Sequence, residues 1–196
     1  MKKLIIIVSV VALMIGYCST ATAQFSIGAK AGVAMPVGSF GQGYNMGFGG
    51  IANAAYAIKE NMSIGFNAGF YAFKGTDFPA STEPSARIIP IFADFKYFFD
   101  TEGFMPYVST GLGVYLHSSS YTSLAIPALV VGGETRTEEI PSEKVSATKA
   151  KFGVSPTIGF LVGNKLKYGA SVRYNILFSD ASYIDISFGV SYPLGQ

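Results

Sequence analysis

From residue 25 onward, apolar and polar positions alternate with a period of two, in eight separate stretches. A period of two is the mark of a pleated strand whose two faces meet different surroundings. The stretches run over 25–35, 45–58, 62–73, 86–99, 105–117, 149–162, 166–178 and 183–194. The pair spanning 93–116 shows the pattern most plainly. Phe95 and Tyr97 alternate with Asp94 and Lys96, and then Val108, Thr110, Leu112 and Val114 alternate with Tyr107, Ser109, Gly111 and Gly113. In the last stretch Ile184, Ile186, Phe188, Val190 and Tyr192 oppose Asp185, Ser187, Gly189 and Ser191.

The charges say which face meets oil. Lys30, Asp94, Lys96, Lys151, Lys167, Arg173 and Asp185 all fall on the face that also carries Asn53, Asn67 and Asn175. The central parts of the opposite faces hold only apolar, small or aromatic residues. A water-soluble barrel would show the reverse, with charge outside and apolar side chains within. The arrangement fits strands that turn their apolar faces to lipid, where a midplane Lys or Arg costs ~2–4 kcal/mol. In lipid, only helices and closed barrels satisfy every backbone N–H and C=O. After the leader, no apolar run approaches the ~18 residues of a spanning helix. The predicted fold is therefore all-β, an eight-stranded antiparallel up-and-down transmembrane β-barrel. Its inner faces are rich in glycine, which leaves room for inward Lys, Arg and Tyr in a lumen only just wide enough for side chains.

The connections give the orientation. Short turns at 59–61, 100–104 and 163–165 alternate with longer loops at 36–44, 74–85 and 118–148; only 179–182 is a short link on the loop side. Short periplasmic turns and long external loops are the rule in bacterial outer-membrane barrels, as is an even strand number. Pro90 cannot donate to a ladder, so a bulge or a lapse in pairing is expected near it. The 36–44 segment reads as a glycine-rich loop. The 118–148 connection holds an apolar patch, 124–131, and a charged run, 134–144. Its patch is expected to extend the flanking strands as a hairpin turning near Gly132-Gly133.

Composition sharpens the address. Mean hydropathy is +0.38 and only 13% of residues are charged, against about 25% in ordinary soluble domains. Lys2 and Lys3 precede an apolar core at 4–15, and Ala21-Thr22-Ala23 is a cleavage motif. Residues 1–23 thus read as a cleaved signal peptide and 24–196 as the outer-membrane barrel domain. Cys18 raises a rival lipoprotein reading, against which Tyr17 stands where a small residue is needed. The leader holds two of the 14 basic residues and none of the 12 acidic ones, which leaves 12 of each. A neutral chain has no electrostatic footprint for nucleic acid. The single cysteine lies in the leader, so the remainder forms no disulfide or thiolate metal site.

Candidate chemistry is sparse. His117 stands alone at the end of a strand, no Ser-His-Asp set emerges, and the glycines spell no nucleotide-binding motif. No catalytic residue, cofactor or metal ligand is assigned, and the chain is read as no enzyme. The inward charges Lys30, Asp94, Lys96, Arg173 and Asp185 form a candidate lumen network. Lys30, Asp94 and Arg173 are expected near mid-height, pairing across the lumen as a structural plug or, alternatively, as a gate for small ions. The 118–148 loop is the candidate contact with an extracellular ligand.

Three stretches carry a family resemblance: Lys96-Tyr97-Phe98-Phe99, Met105-Pro106-Tyr107-Val108 and Gly111-Leu112-Gly113, with a closing strand at 184–194. On these the chain resembles the small outer-membrane β-barrel domains of Gram-negative bacteria, PorT-like and OmpX- or OmpA-type. The resemblance implies an outer-membrane location, contact with outer-membrane lipid and insertion by the barrel-assembly machinery. The chain departs from the family in ending beyond Tyr192 on Pro193-Leu194-Gly195-Gln196 rather than on an aromatic residue. The function expected is a structural or surface-contact role through external loops; a narrow channel for ions or very small solutes is the alternative, and an outer-membrane enzyme a distant third.

Overall fold

The computed structural model describes residues 25–76, 85–122, 130–131, 134–135, 144–178 and 181–194. The leader and residues 123–129 of the long connection lie outside them. Ten strands and one short helix follow in chain order: β1 (Phe25–Pro36), α1 (Ser39–Gly43), β2 (Gly47–Lys59), β3 (Met62–Lys74), β4 (Ser85–Phe98), β5 (Phe104–Thr122), β6 (Val130–Val131), β7 (Glu134–Thr135), β8 (Lys144–Val162), β9 (Lys167–Leu177) and β10 (Tyr183–Leu194). Eight of the strands close into an antiparallel barrel, β1-β10-β9-β8-β5-β4-β3-β2. Closure is made by β1 against β10, from Phe25↔Leu194 to Pro36↔Tyr183.

Paired positions climb as they go round the wall. Starting from Ser26 and passing through Ala55, Gly65, Asp94, Gly111 and Ser155, then to Asn175 in the unchanged β8–β9 register, where pairing lapses, and on to Tyr183, the path returns to β1 at Pro36, ten residues further on. Such a stagger on eight strands tilts them by about 40° and leaves a bore that side chains fill.

The outer wall is apolar. Leu112, Phe152, Ile158 and Phe188 are each more than 60% exposed, and Phe48, Phe66, Ile91, Phe95 and Val172 share their face. In water such a surface would be far beyond the apolar patch a monomer tolerates; wrapped around a closed barrel, it is a lipid-facing band. Phe99, Phe104, Tyr168 and Tyr192 lie toward the short-turn end of the wall, where interfacial aromatics belong.

The prolines mark the ladders as their chemistry requires. Around Pro90 the β3–β4 pairs run Ala68↔Ile91 and then Tyr71↔Ile88, so pairing lapses with no change of register, while the β5 side stays continuous through Pro90↔Tyr115. Pro156 does the same: pairing with β9 lapses between Val154↔Ile176 and Thr157↔Arg173, while Thr110↔Pro156 holds on β5. Each proline lacks its N–H on one side only.

Two features differ from the sequence reading. The 36–44 segment contains α1, a single turn stapled to its surroundings. Val37 N donates to Ser182 O (3.0 Å), Asn45 N to Lys74 O (2.8 Å) and Thr76 N to Gly43 O (3.1 Å). Glycine-rich composition hid this turn, because its stability comes from those tertiary bonds and from burial of Phe40 rather than from helix propensity. The flanks of the long connection are also more regular than a loop. β5 and β8 remain paired from His117↔Lys149 up to Thr122↔Lys144, and Val130–Val131 pairs with Glu134–Thr135, bracketing Gly132-Gly133.

Candidate functional site: the lumen and its external mouth

Inward side chains stack in three layers along the bore. Near the short turns, Met105, Tyr107 and Leu161 form a small apolar cluster with Phe98. The glycines opposite make this possible. A methyl group added at Gly159 would stand 2.7 Å from Tyr107 Oη and 2.6 Å from the Ala170 carbonyl oxygen, so the ring occupies the space a side chain would need.

The middle layer is polar. Lys30 Nζ donates to Tyr107 Oη (2.8 Å) and Ser171 Oγ (3.0 Å), and Ser171 bonds Ser187 at 3.1 Å. Lys96 Nζ lies 4.9 Å from the Tyr107 ring centroid, a cation–π distance. Asn67 Nδ2 donates to Asp94 Oδ1 (2.8 Å). Arg173 Nε donates to Thr157 Oγ1 (3.0 Å), its guanidinium sits 4.7 Å from the Phe92 centroid, and its Nη1 is 3.9 Å from Asp185 Oδ2. Asp185 also accepts from Asn175 Nδ2 (3.2 Å), and Asn175 accepts from Tyr115 Oη (3.2 Å).

The five inward charges named from sequence line one bore, where Lys30 and Lys96 feel Asp94 and Arg173 across it, though few of them touch. The direct ion pair among the described residues is Arg173–Asp185, between adjacent strands and in direct register. Lys30 finds hydroxyls, and Asp94 finds an amide. The register signal was present in sequence, since a short β9–β10 link fixes which inward residues face each other.

Above this lies an apolar layer: Ile88, Phe92, Tyr71, Tyr115 and Tyr183 pack with Phe73, Leu177 and Ala34, all buried. Tyr71 and Tyr183 rings are 5.5 Å apart, Phe73 and Tyr183 5.7 Å. Phe40 of α1 drops onto this layer, its ring 5.1 Å from that of Phe73. The bore is closed at its long-loop end by aromatic packing.

At the mouth, His117 lies about 30 Å along the barrel axis from Met105, taking twelve residues at ~3.3 Å and a tilt near 40°. That is beyond a ~25 Å apolar band. A cleft of about 360 Å³ opens there between α1 and the extended β5–β8 pair, lined by Ser39, Tyr44, His117, Ser119, Lys149 and Lys151. His117 is held edge-on by Phe40 at 5.7 Å. Burial pushes its pKa below the usual imidazole value, and the nearby ammonium groups of Lys151 and Lys149 push the same way. Its Nε2 is buried without a hydrogen-bond partner. Sequence reading noticed His117 but not its company, which the β5–β8 register and α1 bring together. Among the described residues, no cluster of three His, Cys, Asp or Glu has metal-binding geometry.

A tilted eight-strand barrel with an apolar wall and a filled bore is the fold of the small outer-membrane β-barrels, and solved structures of that class match this one along nearly their whole length. Neisserial surface protein A is 23% identical, covers 89% of this chain and 99% of its own, and superposes with a TM-score of 0.54. Ail, the attachment invasion locus protein of Yersinia pestis, is 15% identical over 87% of this chain and 97% of its own, with a TM-score of 0.51. A major outer membrane protein from Thermus thermophilus is 10% identical over 89% and 100%, with a TM-score of 0.53. No protein-family model and no curated protein matches the sequence.

Proposed function

We propose that this protein is a non-enzymatic outer-membrane anchor, exported behind a cleaved leader and inserted by the barrel-assembly machinery. It holds external segments at the cell surface for contact with an extracellular ligand. The observation that carries the reading is the closed bore. Tyr71, Ile88, Tyr115 and Tyr183 are each 0% exposed, so the barrel is a rigid post rather than a pipe. Rigid scaffolds presenting loops are where recognition is usually placed. The β5–β8 pairing carries 118–122 and 144–148 past the His117 level, and α1 braces the mouth beside it. The inward charges serve in this reading as a structural plug that fixes the bore.

Planar-bilayer recording tests it. Purified protein is expected to give no discrete conductance steps. Regular steps in the picosiemens range or above, carried by the unmodified protein, would instead establish the narrow-channel reading. In a second arm, removing 123–143 is expected to leave a barrel that still migrates fast on gels until heated. The same deletion is expected to abolish binding of the cells to surfaces or partners that the full chain supports.

A further inference from the structure

We infer that the mouth cleft between α1 and the β5–β8 extension is a binding site for an oxyanion of the phosphate class, presented from the external solution. The inference deepens the surface-contact reading by naming a ligand chemistry for one place on that surface.

Three nitrogen groups converge on the cleft. Lys149 and His117 are direct cross-strand partners, and Lys151 lines the same cleft two residues on, on the same face of the strand. Among the described residues, neither lysine has a salt-bridge partner, and no carboxylate lines the cleft. The hydroxyls of Ser39, Ser119 and Tyr44 lie along the same walls and can turn to donate. A second sign is His117 itself: its ring lines the cleft, and its Nε2, turned away from solvent, is bonded to nothing in the protein. Buried polar atoms normally find partners. An oxyanion would supply a counter-charge for both lysines, through charge-assisted bonds stronger than neutral ones, and a small turn of the imidazole would bring this nitrogen to it.

The direction of approach follows from strand parity. On β8, Lys149 and Lys151 alternate with Ala150 and Phe152, and Phe152 is 70% exposed on the lipid side of the wall. Both lysines therefore point toward the barrel axis. A headgroup of the surrounding bilayer would have to cross the wall to reach them, whereas a solute or glycan-borne group above the mouth would not. The cleft, at about 360 Å³, exceeds the needs of a bare phosphate and has room for the start of the group carrying it.

The test uses the full mature chain in nanodiscs of zwitterionic lipid, with the His117 side-chain signals followed by NMR during titration with inorganic phosphate at constant ionic strength, against chloride. Saturable shifts with phosphate and none with chloride are expected. Lys149→Gln/Lys151→Gln should weaken phosphate binding about tenfold, while its fast gel migration shows the barrel intact. His117→Gln, which keeps one side-chain donor, should retain part of the affinity, measured by calorimetry. Identical responses to phosphate and chloride, or an unchanged affinity in the double-lysine variant, would overturn the site. Shifts produced by anionic-lipid nanodiscs without added phosphate would overturn the external source. The surface-contact reading would survive any of these, because it is tested separately by loop removal.

Discussion

Asp185→Ala is the most informative change in the bore. Asp185 is fully buried and Arg173 is 3% exposed, so removing the carboxylate leaves a cation in the lumen with no ion-pair partner. At 3.9 Å and an effective dielectric near 20, the lost attraction is about 4 kcal/mol. Part of it is offset, because Arg173 keeps its bond to Thr157 and its place over Phe92. Neither Arg173 Nη1 nor Asp185 Oδ1 makes a hydrogen bond of its own, so the pair is held by charge more than by directional bonding. A net loss of ~3 kcal/mol is the expected result, at the lower edge of what breaking a buried pair costs. Asp185→Asn keeps the contact with Asn175 and should lose about half as much. The double variant Asp185→Leu/Arg173→Met removes both charges and fills their volume, and should lie within ~1 kcal/mol of wild type. The chain has no tryptophan, so folded fraction is best read from gel migration and far-ultraviolet circular dichroism during urea titration in lipid vesicles. The reasoning is refuted if the double variant loses as much as the sum of its single variants. The two groups would then be uncoupled, and the bore would owe nothing to their pairing.

Four further outcomes follow from the same geometry. Gly159→Ala sets a methyl against Tyr107 Oη and the Ala170 carbonyl; an overpacking loss of ~1–3 kcal/mol is expected in the same titration. Leu112→Arg, on the lipid side, should cost ~2–4 kcal/mol. Its inward neighbour Gly111 is not a fair control, because Phe92 and Ser155 already fill that space. Phe40→Ala should loosen α1 and lower the temperature at which the gel shift is lost, yet leave the bore non-conducting, because Tyr71, Ile88 and Tyr183 close it beneath. The pH dependence of stability should carry a His117 component. The imidazole is half-buried between Phe40 on α1 and Lys149 and Lys151 on β8, with Tyr44 nearby, and its folded pKa lies below its unfolded value near 6.5. The unfolded chain then binds the extra proton, so this contribution is whole above pH 6.5 and is lost as pH falls through the folded pKa. His117→Gln should flatten that part of a urea-midpoint profile between pH 7 and 5.

Strand number and face parity were legible because lipid imposes a rule the chain must obey at every second residue. A single inward Leu or outward Lys changes little in the pattern, but eight strands agreeing leave no second solution. The pairing of particular charges was harder to read. Face parity puts Lys30, Asp94, Lys96, Arg173 and Asp185 into one bore without saying at what height. Height is set by the ten-residue stagger accumulated around the wall, which no single strand displays. That stagger carries Lys30 to Tyr107 and Ser171 and leaves Asp94 beside Asn67. The Arg173–Asp185 pair was accessible, since one short link joins β9 to β10. The mouth was not, because α1 depends on burial of Phe40 and on bonds to Lys74, Thr76 and Ser182, all distant in sequence. The chemistry at the mouth depends on that same turn. Phe40 walls one side of His117 while the extended β5–β8 ladder brings up Lys149 and Lys151. Loosening α1 should therefore weaken phosphate binding even though Phe40 offers no hydrogen bond. A Phe40→Ala variant that stays folded and binds phosphate at full strength would show that the two lysines alone make the site.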